Sequence, residues 1–319
     1  MEDSNGLDRS EQSSEDDELI RLSKAVKLPP VKPAVKYEHI LAPLNLPTQR
    51  EQRARQAVAR FGGRPSPKML FDGTFNFLFY REMVPRLVTL VSWAVVVSMC
   101  AVVAFFLSFS AMLGGAFGLS LLTGMLLSAT AVALGGMWLV FASARWLAVL
   151  EDTANGTDRI ENWPDAIFID SFGATFYVVG AAIWSAMLGL VIGTLLGGWA
   201  WVIAPFCLMA FFPIVMLSML ESGSLLWPVS GLVLRSMTRL PGTWAVFYAI
   251  TFALASISIV TLLVLQFAFG IWAWPIVAGI GVIESMIYFR VLGKLALCCV
   301  VAEQLHQTAK ETVEETVKD

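Results

Sequence analysis

Three long stretches of the chain contain no charged residue, and this feature constrains the fold more than any other. They cover residues 87–143, 171–220 and 244–283 of the 319-residue sequence. An uncharged apolar run of about 20 residues is long enough to cross the ~30 Å hydrocarbon core of a bilayer as a helix. Hydrophobic residues make up 57% of the chain, against about 45–50% in soluble domains. The sequence therefore predicts an all-α integral membrane protein.

Each uncharged stretch is too long for a single crossing and contains glycine near its middle. The breaks fall at residues 114–118, 197–199 and 269–272. Each stretch is thus predicted to form a hairpin of two helices within a membrane domain that covers residues 71–301. The six predicted transmembrane helices cover residues 88–111, 119–143, 172–195, 200–220, 244–268 and 272–293.

Lysine and arginine flank these hairpins on one side only. The three glycine-containing turns have neither residue, whereas the segments at the opposite ends of the helices carry several. Positively charged loops are retained on the cytoplasmic side of a membrane. The sequence therefore predicts a multi-pass protein of the plasma or inner cell membrane with both termini in the cytoplasm.

The two ends of the chain differ from the membrane domain in composition. Residues 1–18 carry eight acidic side chains, and residues 19–68 carry eleven Lys or Arg together with a proline-rich stretch at 28–33. High charge with few apolar residues predicts a disordered cytoplasmic arm over residues 1–70. The basic part would either bind anionic lipid or only fix the topology. No nucleic-acid-reading element is present. Residues 302–319 are predicted to form a cytoplasmic tail.

Three segments on the charged side have the pattern of helices that lie in the plane of the membrane. Residues 71–80 are rich in aromatic side chains and precede Arg81. Residues 228–240 place apolar side chains at helical spacing opposite two arginines, and residues 164–172 follow a Trp-Pro pair. Such amphipathic segments favour the headgroup region, so we expect them at the cytoplasmic surface.

The common catalytic and metal-binding motifs are absent from the sequence. There is no nucleophile elbow, zinc-protease motif or phosphate-binding loop, and the histidines His39 and His306 lie far apart in the chain. The four cysteines have no zinc spacing. The sequence predicts neither an enzyme nor a bound metal or cofactor. A lipid-modifying enzyme would need Arg235 and Arg239 to hold a phosphate, and no general base is evident.

Glu284 is the sharpest polar feature of the predicted membrane helices. It lies twelve residues after Trp272, about 18 Å along a helix, where a charge is costly in hydrocarbon. One interpretation is a proton or cation site. The other is a hydrogen bond that joins span six to Gln266, Ser256 or Ser258 of span five.

Two further groups of residues have predicted roles, one at the ends of the helices and the other in the contacts between helices. Long cationic side chains near helix ends reach towards lipid headgroups, and small residues four apart let helices approach closely, within one chain or between copies in a homo-oligomer. The predicted headgroup residues are Arg235, Arg239, Arg290 and Lys294, and the predicted packing residues are Gly189, Gly193 and Gly197.

These observations favour a non-catalytic membrane protein that organises the bilayer or anchors cytoplasmic partners. The single acid within the predicted spans and the long charged arm support this interpretation. The alternative is a small-solute or ion transporter that uses Glu284 inside the bundle.

Overall fold

The apolar stretches of the chain fold as long helices in the computed structural model, which describes residues 66–114, 119–157, 159–160, 163–164, 168–197 and 200–318. No β-strand occurs in this part of the chain. The predicted disordered arm, apart from its last five residues, lies outside the described residues. The α-helices are α1 (Met83–Gly114), α2 (Leu119–Ala154), α3 (Phe168–Leu195), α4 (Ala200–Ser222), α5 (Gly231–Arg239), α6 (Pro241–Phe269) and α7 (Ala273–Lys318).

Five helical stretches of the described residues are long and apolar enough to cross a membrane. The last of them contains both α6 and α7, which are separated by a 3₁₀ turn at Gly270–Trp272. The prediction of an all-helical chain with several membrane-length helices is confirmed. The five stretches are Met83–Ser110, Leu121–Ala154, Ser171–Leu195, Ile203–Ser222 and Pro241–Glu303.

Glycine ends two of the long helices where the sequence predicts a break. Gly197 after α3 has a φ angle of +81°, and Gly270 after α6 has a φ angle of +59°. These left-handed conformations strain residues that have a Cβ atom, so glycine allows the chain to leave the helix at these points. The amide of Gly270 still donates to the carbonyl of Gln266, which closes the last turn of α6.

Helices that are neighbours in the sequence pack against one another, and α7 also packs against helices from the first half of the chain. The pairs α1–α2, α3–α4 and α6–α7 are in contact, and α7 also packs against α1 and α2. The indole of Trp138 on α2 donates to the carbonyl of Leu90 on α1 at 3.2 Å. The hydroxyl of Tyr248 on α6 donates to the carbonyl of Ala210 on α4 at 2.8 Å.

Residues 66–82, which we call the base segment, precede α1 and contain two 3₁₀ turns. These turns are Pro67–Leu70 and Asn76–Phe79. Leu70 and Phe77 are fully buried, and the segment contacts α1, α6 and α7. Because its inner side chains join the main apolar core, the base segment is an integral part of the fold.

The last helix extends beyond the predicted membrane domain. The sequence predicts a cytoplasmic tail over residues 302–319, and α7 continues through this segment to Lys318. Its 46 residues span roughly 69 Å at 1.5 Å per residue. Polar side chains such as Gln304 and Glu311 are good helix formers, so the loss of apolar character at this point does not end the helix.

Candidate functional site

The predicted polar pair between α6 and α7 forms because its two members lie at the same distance from the turn. Ser258 is eleven residues before the end of α6 at Phe269, and Glu284 is eleven residues after the start of α7 at Ala273. Both are therefore about 17 Å along their helices from the turn. The hydroxyl of Ser258 donates to the Oε2 atom of Glu284.

The second carboxyl oxygen of Glu284 distinguishes this position from an ordinary hydrogen-bonded glutamate. Its Oε1 atom is buried and accepts no hydrogen bond from the described residues. A buried carboxyl oxygen ordinarily has a donor, so this one retains acceptor capacity for a proton, a cation or a water molecule. The arrangement can therefore serve either as a helix-joining contact or as an ion-binding position.

Gln266 does not belong to this polar pair. It is exposed on the surface of α6 and lies eight residues after Ser258, about 12 Å further along the helix. The predicted site thus consists of Glu284 with Ser258, one of the three partners that the sequence offers.

Arg290 and Lys294 occupy positions that the sequence does not predict. We expect both to reach lipid headgroups, but Arg290 is 1% exposed and Lys294 is 7% exposed. Both lie on α7 four residues apart, and both point into the protein where polar groups surround them. The headgroup role of these two residues stays a prediction, and in the structure their side chains make hydrogen bonds to acceptors inside the fold.

Lys294 attaches the base segment to α7. Its Nζ atom donates to the carbonyl of Asp72 and to the Oγ1 atom of Thr74, the latter at 3.0 Å. Thr74 is 1% exposed, and its own hydroxyl donates to the carbonyl of Leu70. A buried ammonium group needs such acceptors, so the lysine and the turn around Thr74 stabilise each other.

Arg290 makes the corresponding attachment to the end of α2. Its Nη1 atom donates to Thr153 Oγ1 at 2.9 Å and to the carbonyl of Thr157 at 3.3 Å. Its guanidinium carbon also lies 5.3 Å from the centre of the Phe77 ring, within the range of a cation–π contact. Arg290 thus joins three parts of the chain: α7, the end of α2 and the base segment.

The end of α2 has the conformation that presents these acceptors. Gly156 has a φ angle of +76°, and its amide donates to the Thr153 carbonyl at 3.0 Å. The Thr157 amide donates to the Asp152 carbonyl at 3.0 Å. This pair of bonds is the Schellman motif, which turns the chain out of the helix.

Gly293 allows α7 to lie directly against α2. A Cβ atom at this position would be 2.5 Å from the Leu150 carbonyl oxygen and 2.7 Å from the Thr153 Cβ atom. Only a residue without a side chain permits this approach. Because Arg290 lies three residues before Gly293 on the same helix, this close contact brings Arg290 to its acceptors at the end of α2.

The two remaining predicted headgroup residues lie on α5. Arg235 is exposed, whereas Arg239 forms an ion pair with Glu303 of α7. Ser230 is the N-cap of α5, and its hydroxyl oxygen accepts a hydrogen bond from the Leu232 amide at 3.1 Å. A helix thus lies within the segment 228–240, and one of its arginines joins it to α7.

The three predicted packing glycines have different roles. A Cβ atom at Gly189 would be 2.8 Å from the Cα atom of Ala204, so α3 and α4 are in backbone contact there. Gly193, one turn further on, is buried. Gly197 has open space around its Cα atom and lies in the turn after α3. The absence of a Cβ atom at Gly197 permits the left-handed turn and is not needed for a helix contact.

A cavity of about 160 Å³ opens beside the base segment. One wall is formed by residues of the stretch 77–83 and the other by Arg159, Ile160 and Trp163 after α2. Arg86 of α1 lies over the ring of Trp163, with its guanidinium carbon 4.1 Å from the ring centre. The lining residues are Phe77, Tyr80, Arg81, Glu82, Met83, Arg159, Ile160 and Trp163.

Among the described residues no group of three or more His, Cys, Asp or Glu side chains is arranged to hold a metal ion. A comparison with protein-family models, curated proteins and solved structures found no match to this chain. Its function is therefore argued from its own geometry.

Proposed function

We propose that the chain is an integral membrane protein with six crossings. Helices α6 and α7 are each long enough to cross on their own, and their mutual contact across the turn at Gly270 supports a third hairpin. Large apolar side chains that point away from the bundle support contact with lipid. Examples are Leu122, Leu195, Leu263 and Phe267, the last of which is 96% exposed.

The proposed orientation places the base segment, α5 and both termini on the cytoplasmic side. The arginines near these elements support this orientation through the positive-inside rule. The exposed aromatic side chains of the base segment, among them Phe75 and Phe79, support a position in the plane of the membrane surface.

Cysteine labelling in intact cells tests the topology. Single cysteines at Ala116, Gly198 and Gly270 should react with an impermeant maleimide from outside. A cysteine at Asn155 should react only after the cells are made permeable. Labelling of position 155 in intact cells would refute the six-crossing arrangement.

We further propose that the protein is non-catalytic and anchors cytoplasmic partners or organises the membrane. The observation that carries this proposal is the attachment of the base segment by Lys294. The base segment joins the charged arm of residues 1–65 to the bundle. We expect a pull on the arm by a bound partner to reach the helical core through the buried hydrogen bonds of Lys294.

Lateral mobility tests the anchoring function. A fluorescently labelled full chain should diffuse more slowly in its native membrane than a variant that lacks residues 1–65, because the arm engages immobile partners. In synthetic bilayers, where partners are absent, the two proteins should diffuse equally. Equal mobility in the native membrane would contradict the proposal.

The second candidate function is transport of an ion or small solute. The Oε1 atom of Glu284, which is buried and has no hydrogen-bond partner among the described residues, favours it. Flux through the purified protein in proteoliposomes should then fall to background in Glu284→Gln, while Gln266→Leu, on the exposed face of α6, should retain it. Loss of flux in a stably folded Glu284→Gln protein would replace the anchoring proposal by transport.

A further inference from the structure

The cavity beside the base segment has the electrostatic character of an anion site. Arg81 and Arg159 line it from opposite walls, and Glu82 is the one acid among the described residues that line it. Arg86 stacks on the Trp163 wall at 4.1 Å. Guanidinium groups offer a planar fork of donors that matches phosphate oxygens.

One arginine donor near the cavity lacks an acceptor in the described part of the chain. The Nη1 atom of Arg86 is buried and makes no hydrogen bond there. A buried donor without a partner is costly, so an anion or a water molecule at the Trp163 wall would satisfy it. Arg86 is not among the described residues that line the cavity, so it adds positive charge beside the site, while Arg81 and Arg159 supply the donors that face it.

The surface next to the cavity is apolar. Phe71, Phe75 and Phe79 recur every four residues along the base segment, and Phe79 is 79% exposed. On the inner side of the same segment, Leu70 and Phe77 are buried. All three rings are exposed, and we call them the phenylalanine row; Phe79 lies two residues before Arg81 in the chain. A small water-soluble phosphate would leave this row uncovered, whereas the acyl chains of a lipid would cover it.

We propose that the cavity is a binding site for an anionic phospholipid, with the phosphate between Arg81 and Arg159 and the acyl chains along the phenylalanine row. Basic pockets at the cytoplasmic ends of membrane helices suit anionic headgroups. The proposal rests on the six-crossing arrangement, because only then does the cavity lie at headgroup level. It is independent of whether the protein anchors partners or transports a solute.

Binding is measured on the full chain purified in a neutral detergent. Thermal unfolding is followed while short-chain phosphatidylglycerol, phosphatidylcholine of the same chain length, or glycerol 3-phosphate is added. Phosphatidylglycerol should raise the Tm more than phosphatidylcholine does, and glycerol 3-phosphate should have little effect. Two lost charge-assisted contacts should weaken the apparent affinity of Arg81→Ala/Arg159→Ala for phosphatidylglycerol by about tenfold or more.

A second double variant controls for net charge. Lys68→Ala/Arg235→Ala removes two positive charges from exposed side chains that do not line the cavity, and it should bind phosphatidylglycerol like the unaltered protein. Arg81→Lys/Arg159→Lys keeps the charge but loses the fork geometry, so its affinity should be intermediate. This variant keeps the test decisive if the alanine variant fails to fold.

Three results would overturn the proposal. Equal affinity in both double alanine variants would show that only overall charge matters. Equal stabilisation by glycerol 3-phosphate would identify a soluble anion site. No preference for phosphatidylglycerol in the unaltered protein would show that the arginines are already neutralised, for example by acids of the loop after α2. The cysteine labelling at positions 116, 155, 198 and 270 tests the six crossings separately, so a failure of lipid binding is distinguishable from a failure of the proposed topology.

Discussion

The replacement Gly293→Ala tests whether the close contact between α2 and α7 holds Arg290 against its acceptors at the end of α2. The added Cβ atom would meet the Leu150 carbonyl oxygen at 2.5 Å and the Thr153 Cβ atom at 2.7 Å. Neither neighbour is the flexible end of a long side chain, so the helices must separate. Overpacking of this kind costs about 1–3 kcal/mol.

The separation also weakens the bond from Arg290 to Thr153, now 2.9 Å long. A hydrogen bond to a charged group is worth about 1.5–3 kcal/mol. We therefore expect Gly293→Ala to lower the free energy of unfolding by about 2–5 kcal/mol. Reversible unfolding of the full chain in mixed micelles, followed by helical circular dichroism, measures this change.

Gly281→Ala is the matched control, because it lies in the same helix and a Cβ atom there meets nothing within 4 Å. Alanine is a better helix former than glycine by about 0.8–1.0 kcal/mol, so the control should be as stable as the original protein or slightly more so. If Gly293→Ala matched this control in stability, the close approach of α2 and α7 would be refuted.

Three other substitutions give direct tests. Lys294→Met keeps the stem of the side chain but removes its hydrogen bond to Thr74. Hydrogen exchange of the backbone amides in residues 66–82 should therefore accelerate at least tenfold, while the amides of the long helices stay protected. Gly189→Val should destabilise the protein by about 1–3 kcal/mol through its contact with α4, whereas Gly173→Ala, which has open space, should not; equal chemical stability of the two would contradict the α3–α4 contact. Glu284→Leu should lose about 0.6–1 kcal/mol with the bond from Ser258, and Glu284→Gln should lose less; a double-mutant cycle with Ser258→Ala reads this coupling, and a coupling near zero would refute the bond.

The positions of the long helices could be predicted from the sequence because they depend on local properties. Absence of charge over 87–143, 171–220 and 244–283 sets where membrane-length helices form, and glycine sets where two of them end, at Gly197 and Gly270. The pairing of Glu284 with α6 also follows from local arithmetic, because two positions at equal distance from a tight turn face each other at the same level.

The environment of the cations could not be predicted in this way. Hydropathy treats Arg290 and Lys294 as residues that avoid an apolar interior, and it contains no information on partners elsewhere in the chain. Their acceptors are 137 residues away at Thr153 and 220 residues away at Thr74. The one local signal was Gly293 between them, which indicates a close helix contact without naming the helix.

The sequence by itself determined that the chain forms long apolar helices, where those helices are interrupted and which residues could carry charge at their ends. Those properties depend on side-chain hydrophobicity and on the conformational freedom of glycine, both of which act over a few neighbouring residues. Only the tertiary structure decided that Arg290 and Lys294 are buried. The reason is that the cost of burying a charge depends on acceptors supplied by α2 and the base segment, and only folding brings those acceptors within hydrogen-bond distance.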